Sequence, residues 1–338
     1  MKPMVLAALT VLIASGSAIA QPQAPQRKDS YKLADVGTHD PVMAKEGNTY
    51  YLFATGMGIS VMSSSDNMKT WKFEKSVFES APAWTTEMLP DFRGHMWAPD
   101  VLFYEGEWHI FYSCSAFGRN TSMIGHATNK TLDPNSPDFK WVDKGCVIQS
   151  VPNRDMWNAI DPNVIVDEEG NPWMDFGSFW DGIKLFKMKK DMSGPAVPQE
   201  WYSVCRRERK FEQPDSSAGD GAVEAPFIMK HGDYYYLFTS FDYCCRGARS
   251  NYNVVVGRSE KVSGPYLDKD GKDMAFGGGS VVLAGNKDWA GVGHNAAYDF
   301  GGKSYFIAHG YDLSDNGASK LVVREIKWSK DGWPIVEW

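Results

Sequence analysis

Five stretches of the chain repeat one pattern: a short apolar strand, a turn, then an alternating aromatic strand. They are HDPVMAKEGNTYYLFAT from His39, WAPDVLFYEGEWHIFYS from Trp97, IDPNVIVDEEGNPWMDFGS from Ile160, EAPFIMKHGDYYYLFTS from Glu224 and HNAAYDFGGKSYFIAHG from His294. Each reads as a β-hairpin. A third strand follows every one of them: GISVMSSSD, TSMIGHATNK, GIKLFKMKK, NVVVGRSEK and KLVVREIKW. The unit starts lie roughly 58 to 70 residues apart, which leaves room for four strands and their loops. Helical periodicity is weak throughout. Five phase-locked, four-stranded units predict an all-β chain folded as a five-bladed β-propeller, each blade covering the faces of its neighbours. A β-sandwich is the alternative architecture, and it does not explain the shared phase.

The 338 residues carry a formal charge of −7, which argues against a nucleic-acid partner. Aromatic residues reach 14%, with 13 Trp. That excess suits pleated core surfaces first and a sugar-binding surface second. Lys2, the apolar run from Val5 to Ala14 and the small residues of Ala18-Ile19-Ala20 read as a secretory signal over 1–20. A polar tail over 21–32 and a single propeller domain over 33–338 complete the expected organisation. The apolar run is too short to span a bilayer and no later segment is long enough, so a soluble product, periplasmic or secreted, is expected. No Cys follows that run, which argues against lipid anchoring. The five cysteines show no metal-binding spacing, and export permits disulfides without fixing any pairing. Adjacent Cys244 and Cys245 could bridge only through a small strained ring.

In a propeller the first strand of each blade lines the axis, so equivalent strand starts converge there. The paired residues at those starts are His39-Asp40, Trp97-Ala98, Ile160-Asp161, Glu224-Ala225 and His294-Asn295. Three carboxylates, Asp40, Asp161 and Glu224, therefore point at one pocket. Each alone could cap a turn. All three together put like charges in one place, which a purely structural repeat avoids. Two carboxyl groups across a pocket are the minimum equipment for glycoside hydrolysis: one protonates the leaving oxygen and the other activates water or attacks the sugar itself. Glu224 precedes the apolar run Ala225-Pro226-Phe227-Ile228, a setting that favours its protonated form. Asp40 sits beside His39, a setting for an ionised base. His109, His126, His231 and His309 carry no spacing that suggests a site, and His39 is placed either to orient Asp40 or to close the ring of blades.

At these residues the sequence resembles glycoside hydrolase family 43, in particular its arabinan-degrading members. HDPVM, GHMWAPDV, SAFGRNTS, WNAIDPNV, FGSFW, VEAPFI, DYYYLFTS, CCRG and GHNAAY occur in that group in this order, over about Leu33 to Trp338. The resemblance implies a five-bladed propeller that hydrolyses with inversion, with Asp40 as general base, Glu224 as general acid and Asp161 as modulator of the acid's pKa. Inversion implies acid and base carboxyls roughly 6.5–9.5 Å apart. The resemblance implies a groove lined by Trp97, Phe117, Gly118, Asn158, Ala159, Ile160, Ser178, Phe179 and Trp180, with Trp97 and Phe117 read as sugar contacts, Ser178 as a hydrogen-bond partner of a sugar hydroxyl, and Phe179 and Trp180 equally as packing. His294 is implied as the ligand of an axial ion, calcium with water completing the shell, or chloride or sodium in its place. The implied substrate is the α-1,5-linked backbone of arabinan, the implied state a monomer, and no organic cofactor enters. A β-xylosidase or α-L-arabinofuranosidase specificity would use the same carboxylates. A noncatalytic sugar-binding propeller and a retaining glycosidase of the invertase type complete the alternatives.

Overall fold

The computed structural model describes residues 28–338. The expected signal segment over 1–20 and most of the polar tail lie outside the described residues.

Alternating apolar side chains and glycine-centred turns fold the chain into five antiparallel sheets arranged as a β-propeller. Blade I runs Val42–Glu46, Thr49–Ala54, Ser60–Ser64 and Thr70–Phe73, with Tyr31–Lys32 as an added outer strand. Blade II runs His95–Tyr104, Glu107–Cys114, Ser122–Asn129 and Val142–Ser150, and Gly56–Met57 pairs on its inner edge. Blade III runs Asn163–Val166, Pro172–Phe176, Ile183–Lys187 and Trp201–Cys205. Blade IV runs Val223–His231, Tyr234–Phe241, Asn253–Ser259 and Ser280–Ala284. Blade V runs Trp289–Phe300, Lys303–Asp312, Ala318–Trp328 and Pro334–Val336. The five repeats and their third strands fall where the sequence pattern predicts them.

Second-strand aromatics fill the spaces between blades. Phe53, Phe111, Tyr112, Phe176, Tyr236, Phe238 and Phe306 are all buried, each ring contributing about 2 kcal/mol by leaving water. Most of the aromatic excess is thus core. The ring of blades closes where the segment before blade I lies against the third strand of blade V. Leu321 N–H donates to the Val36 carbonyl at 2.8 Å, and Thr38 N–H to the Ser319 carbonyl at 3.4 Å. First strands leave an axial cavity of about 230 Å³ lined by Asp100, Asn163, Phe227, Ala297 and Tyr298. No helix among the described residues is long and apolar enough to cross a membrane.

Candidate active site

One backbone device delivers the site. Asp40, Ala98, Asp161, Ala225 and His294 all have positive φ, between 45° and 57°, one at the head of each blade. Left-handed backbone costs a non-glycine residue on the order of 1 kcal/mol, so five occurrences in one slot mark a built feature. The N–H of each is bonded to a side chain from another blade. Asp40 donates to His309 Nδ1 (3.1 Å), Ala98 to Thr55 Oγ1 (2.9 Å), Asp161 to Ser113 Oγ (2.9 Å) and His294 to Ser240 Oγ (2.8 Å). Thr55, Ser113, Ser240 and His309 occupy one repeated position at the end of the second strand. Blade III has Gly177 there, and Ala225 N–H donates to Asp161 Oδ2 at 3.2 Å instead.

This register corrects the alignment of the last blade. His294 shares its slot with Asp40 and Asp161, whereas Glu224 lies one residue earlier, opposite Ser240. Blade V lacks the proline that follows the slot elsewhere, although its first strand bulges between Gly293 and Ala296 as those of blades II and IV do beside their slots.

Asp40 is nearly enclosed, with its side chain 12% exposed. Its Oδ1 lies 2.9 Å from His39 Nδ1 and 3.0 Å from His294 Nδ1, and Oδ2 accepts from Thr55 Oγ1 at 2.5 Å. Burial alone would raise this carboxyl. The pull of His294 and the hydrogen bonds from His294 and His39 outweigh burial and hold it well below the usual carboxylate range. In return Asp40 and its acidic neighbours overcome burial at His294 and lift that imidazole to about 9. Fully enclosed His309 goes the other way. Burial keeps it neutral, although it lies 3.6 Å from the same carboxylate. Sequence reading passed over His309 as an ordinary strand histidine. Its repeated slot, shared with Thr55, Ser113 and Ser240, was the available signal.

Glu224 is held at both oxygens. Ser178 Oγ donates to Oε2 at 2.7 Å and Tyr252 OH to Oε1 at 2.8 Å. Each partner is a hydroxyl, which donates to a carboxylate and can accept from a carboxylic acid. Either protonation state of Glu224 is therefore accommodated. The surroundings are more polar than the apolar stretch after Glu224 predicts. Burial raises the Asp161 carboxyl; the His294 charge opposes this and those of Glu224 and Asp40 reinforce it. Its bond to Ala225 N–H ties Asp161 to the strand that carries Glu224. Tyr252 has no counterpart in the repeat and was missed.

The expected groove residues divide. Phe117 is 82% exposed and Gly118 beside it is open, while Trp97 is half-buried with its indole N–H on His95 Nδ1 at 2.9 Å. Half-buried Phe179 lies 6.0 Å from the Tyr243 ring. Asn158 Oδ1 accepts from Ser122 Oγ, and Ile160 is buried at the same wall. Ser178 is committed to Glu224 rather than free for a sugar hydroxyl. Ala159 and Trp180 are shut away from solvent, and the Trp180 indole N–H donates to the Asp215 carbonyl. Their side chains brace the wall and present no face to a sugar.

Among the described residues one group of three candidate ligands, His39, Asp40 and His309, brings its ligand atoms within 4.8 Å of one another. Those atoms already bond to protein partners. Calcium takes six to eight oxygens, whereas His294 commits Nδ1 to Asp40 and leaves Nε2 as its one free ring atom. The donor set does not fit a calcium cage made by the protein, and no reaction step below runs through an ion. Cys244 and Cys245 are bridged, at the rim beside His39. Cys114, Cys146 and Cys205 are free.

The profile of Glycosyl hydrolases family 43 matches residues 34–334. The chain belongs to this family. Among family 43 relatives, the extracellular exo-α-(1→5)-L-arabinofuranosidase ArbA of Cellvibrio japonicus is 52% identical, the match covering 89% of this chain and 87% of that protein. The extracellular endo-α-(1→5)-L-arabinanase 1 of Bacillus subtilis is 41% identical, covering 88% and 86%. The solved structure of Cellvibrio cellulosa α-L-arabinanase complexed with arabinohexaose superposes with a TM-score of 0.87 at 52% identity, covering 89% of this chain and 96% of that one. Family membership makes the chain a glycoside hydrolase, and the two relatives named differ in acting from a chain end or within the chain.

Proposed function

We propose that the chain is an exported, inverting arabinanase that hydrolyses α-1,5-L-arabinofuranosidic bonds of the arabinan backbone, with Asp40 as general base, Glu224 as general acid and Asp161 as modulator. The observation that carries this reading is the unequal treatment of two carboxyl groups in one pocket. Asp40 is surrounded by imidazoles and a threonine hydroxyl that donates to it, which keep it ionised. Glu224 is held by two hydroxyls that tolerate either state. The names of the family 43 relatives support the substrate, and their extracellular designation supports export.

A sugar in the pocket places its glycosidic oxygen toward Glu224 and its anomeric carbon toward the water held by Asp40. Glu224 gives its proton to the leaving oxygen as the C–O bond breaks. Asp40 takes a proton from the water as the new C–O bond forms on the opposite face. Asp161 holds the Glu224 strand through Ala225 N–H and adds a neighbouring carboxyl. Trp97 and Phe117 offer rings to flanking sugars. An ion at His294, calcium by resemblance, would rest on Nε2 and water outside these steps.

Asp40→Ala and Glu224→Ala test the assignment. Each is expected to cut release of arabino-oligosaccharides from linear arabinan by about 10²–10⁴-fold or more, with substrate binding retained. Unchanged turnover in either variant removes that residue from the mechanism, and activity on xylosides alone removes the substrate assignment.

A further inference from the structure

The phenol of Tyr311 lies behind the proposed base and meets three nitrogens. Cys245 N–H donates to its oxygen at 2.7 Å, His39 Nε2 lies at 3.0 Å and His309 Nε2 at 3.2 Å. A phenol oxygen accepts two hydrogen bonds and donates one, so the three nitrogens cannot all be donors. The Asp40 backbone decides which one accepts. Its N–H points at His309 Nδ1, so that atom is the acceptor and the proton of neutral His309 sits on Nε2. His309 Nε2–H and Cys245 N–H then fill the phenol's acceptor capacity. The phenol proton goes to His39 Nε2, and the His39 proton sits on Nδ1, facing Asp40 Oδ1 at 2.9 Å. The circuit closes with every donor matched: Asp40 N–H to His309, His309 to Tyr311, Tyr311 to His39, and His39 to the Asp40 carboxylate.

We propose that Tyr311 is a positioning residue for the base, fixing His39 as the neutral Nδ1–H tautomer on Asp40, and that the bridged Cys244–Cys245 turn fixes Tyr311 through the Cys245 N–H. This inference rests on Asp40 being the base. Its consequence is electrostatic as well as steric. With His39 neutral, its Nδ1–H hydrogen-bonds to Asp40 without placing a further positive charge beside the carboxylate. A doubly protonated His39 would add that charge, stabilise the carboxylate further and weaken it as a base. Burial holds His39 back from that state while the charge and hydrogen bond of Asp40 draw it upward; Tyr311 opposes it because His39 Nε2–H would face an oxygen whose lone pairs are already taken. The CCRG stretch, which has no role in proton transfer itself, gains one as the anchor of this circuit.

The test compares Tyr311→Phe and Asp40→Ala with the unmodified enzyme on linear arabino-oligosaccharides. Tyr311→Phe is expected to lower kcat about tenfold with KM within about twofold, a fraction of what a general base contributes. Azide should restore substrate consumption in that variant. It forms the C–N bond at the anomeric carbon without losing a proton, while Glu224 still protonates the departing oxygen, giving the arabinosyl azide of inverted configuration. Nitrogen-15 NMR of the His39 ring, assigned with His39→Gln, reads the tautomer directly in the unmodified enzyme. One protonated and one bare nitrogen are expected near neutral pH. Two protonated nitrogens, an unaltered kcat in Tyr311→Phe, or a kcat loss that azide leaves untouched would each overturn the positioning role. If Asp40→Ala kept full turnover, the base assignment itself would fall, an outcome distinct from failure of the Tyr311 circuit alone.

Discussion

At the scale of single residues, the site is a set of hydrogen bonds that hold two carboxyl groups differently. Tyr252 shows the consequence most cleanly. Its hydroxyl serves Glu224 Oε1 from a ring that is 1% exposed. Removing one hydrogen bond to a group that carries charge forfeits about 1.5–3 kcal/mol, so Tyr252→Phe is expected to lower kcat on linear arabinan by about ten- to a hundredfold at nearly constant KM. Steady-state kinetics on a single oligosaccharide checks this, and a rise in KM alone would assign Tyr252 to substrate binding instead. The three carboxylates were legible in the sequence because they fall beside a repeated slot. Tyr252 was not, because it arrives from the loop before a third strand and meets Glu224 only through packing. Ala159 and Trp180 were implied as groove residues by the family resemblance, but both side chains are buried.

At the scale of the element, the first strand of blade V makes the space that Tyr252 needs. A Cβ on Gly293 would lie 2.1 Å from the Tyr252 ring, and one on Gly291 2.8 Å from the Tyr252 backbone nitrogen. Backbone and ring are in contact, so a methyl group can enter only by moving the ring that holds Glu224. Gly293→Ala is expected to lose about 1–3 kcal/mol of stability through overpacking and to lower kcat along with it. Urea unfolding and kinetics together measure both, and a fully active, fully stable variant would show that the ring is free to shift. The hairpins themselves were plain from alternation and turns. The register of blade V was one residue off, because the proline that marks the slot in the other four blades is absent there.

At the scale of the whole molecule, the blades also bury carboxyl groups that take no part in the proposed mechanism, Asp100 and Asp175 among them. Asp100 is enclosed, and burial lifts its carboxyl to about 7 against the pull of the Val164 and Val101 N–H groups and the Asn163 amide. An unfolded Asp titrates near ~4, so between about pH 4 and 7 the folded chain holds a proton that the unfolded chain has released. Stability from this group is complete below about pH 4 and is lost as pH rises through about 7, at up to ~1.4 kcal/mol per pH unit. Asp100→Asn, which keeps an oxygen to accept from Val164 N–H, is expected to flatten the fall in Tm between pH 5 and 7.5. An unchanged pH profile would mean that Asp100 is not the proton holder. The propeller itself was readable from five phase-locked repeats, since each unit must bury its faces on the next. The axial cavity was not, because its lining comes from four separate strands, one from each of blades II to V.

The central claim is that Asp40 activates water for attack opposite the departing sugar. Proton NMR of the first sugar ends released from linear arabinan measures it directly, before the anomers interconvert. The account requires β-configured reducing ends to appear first, with the α form growing in later. Initial α-configured ends would mean net retention and would contradict the role of Asp40 as base.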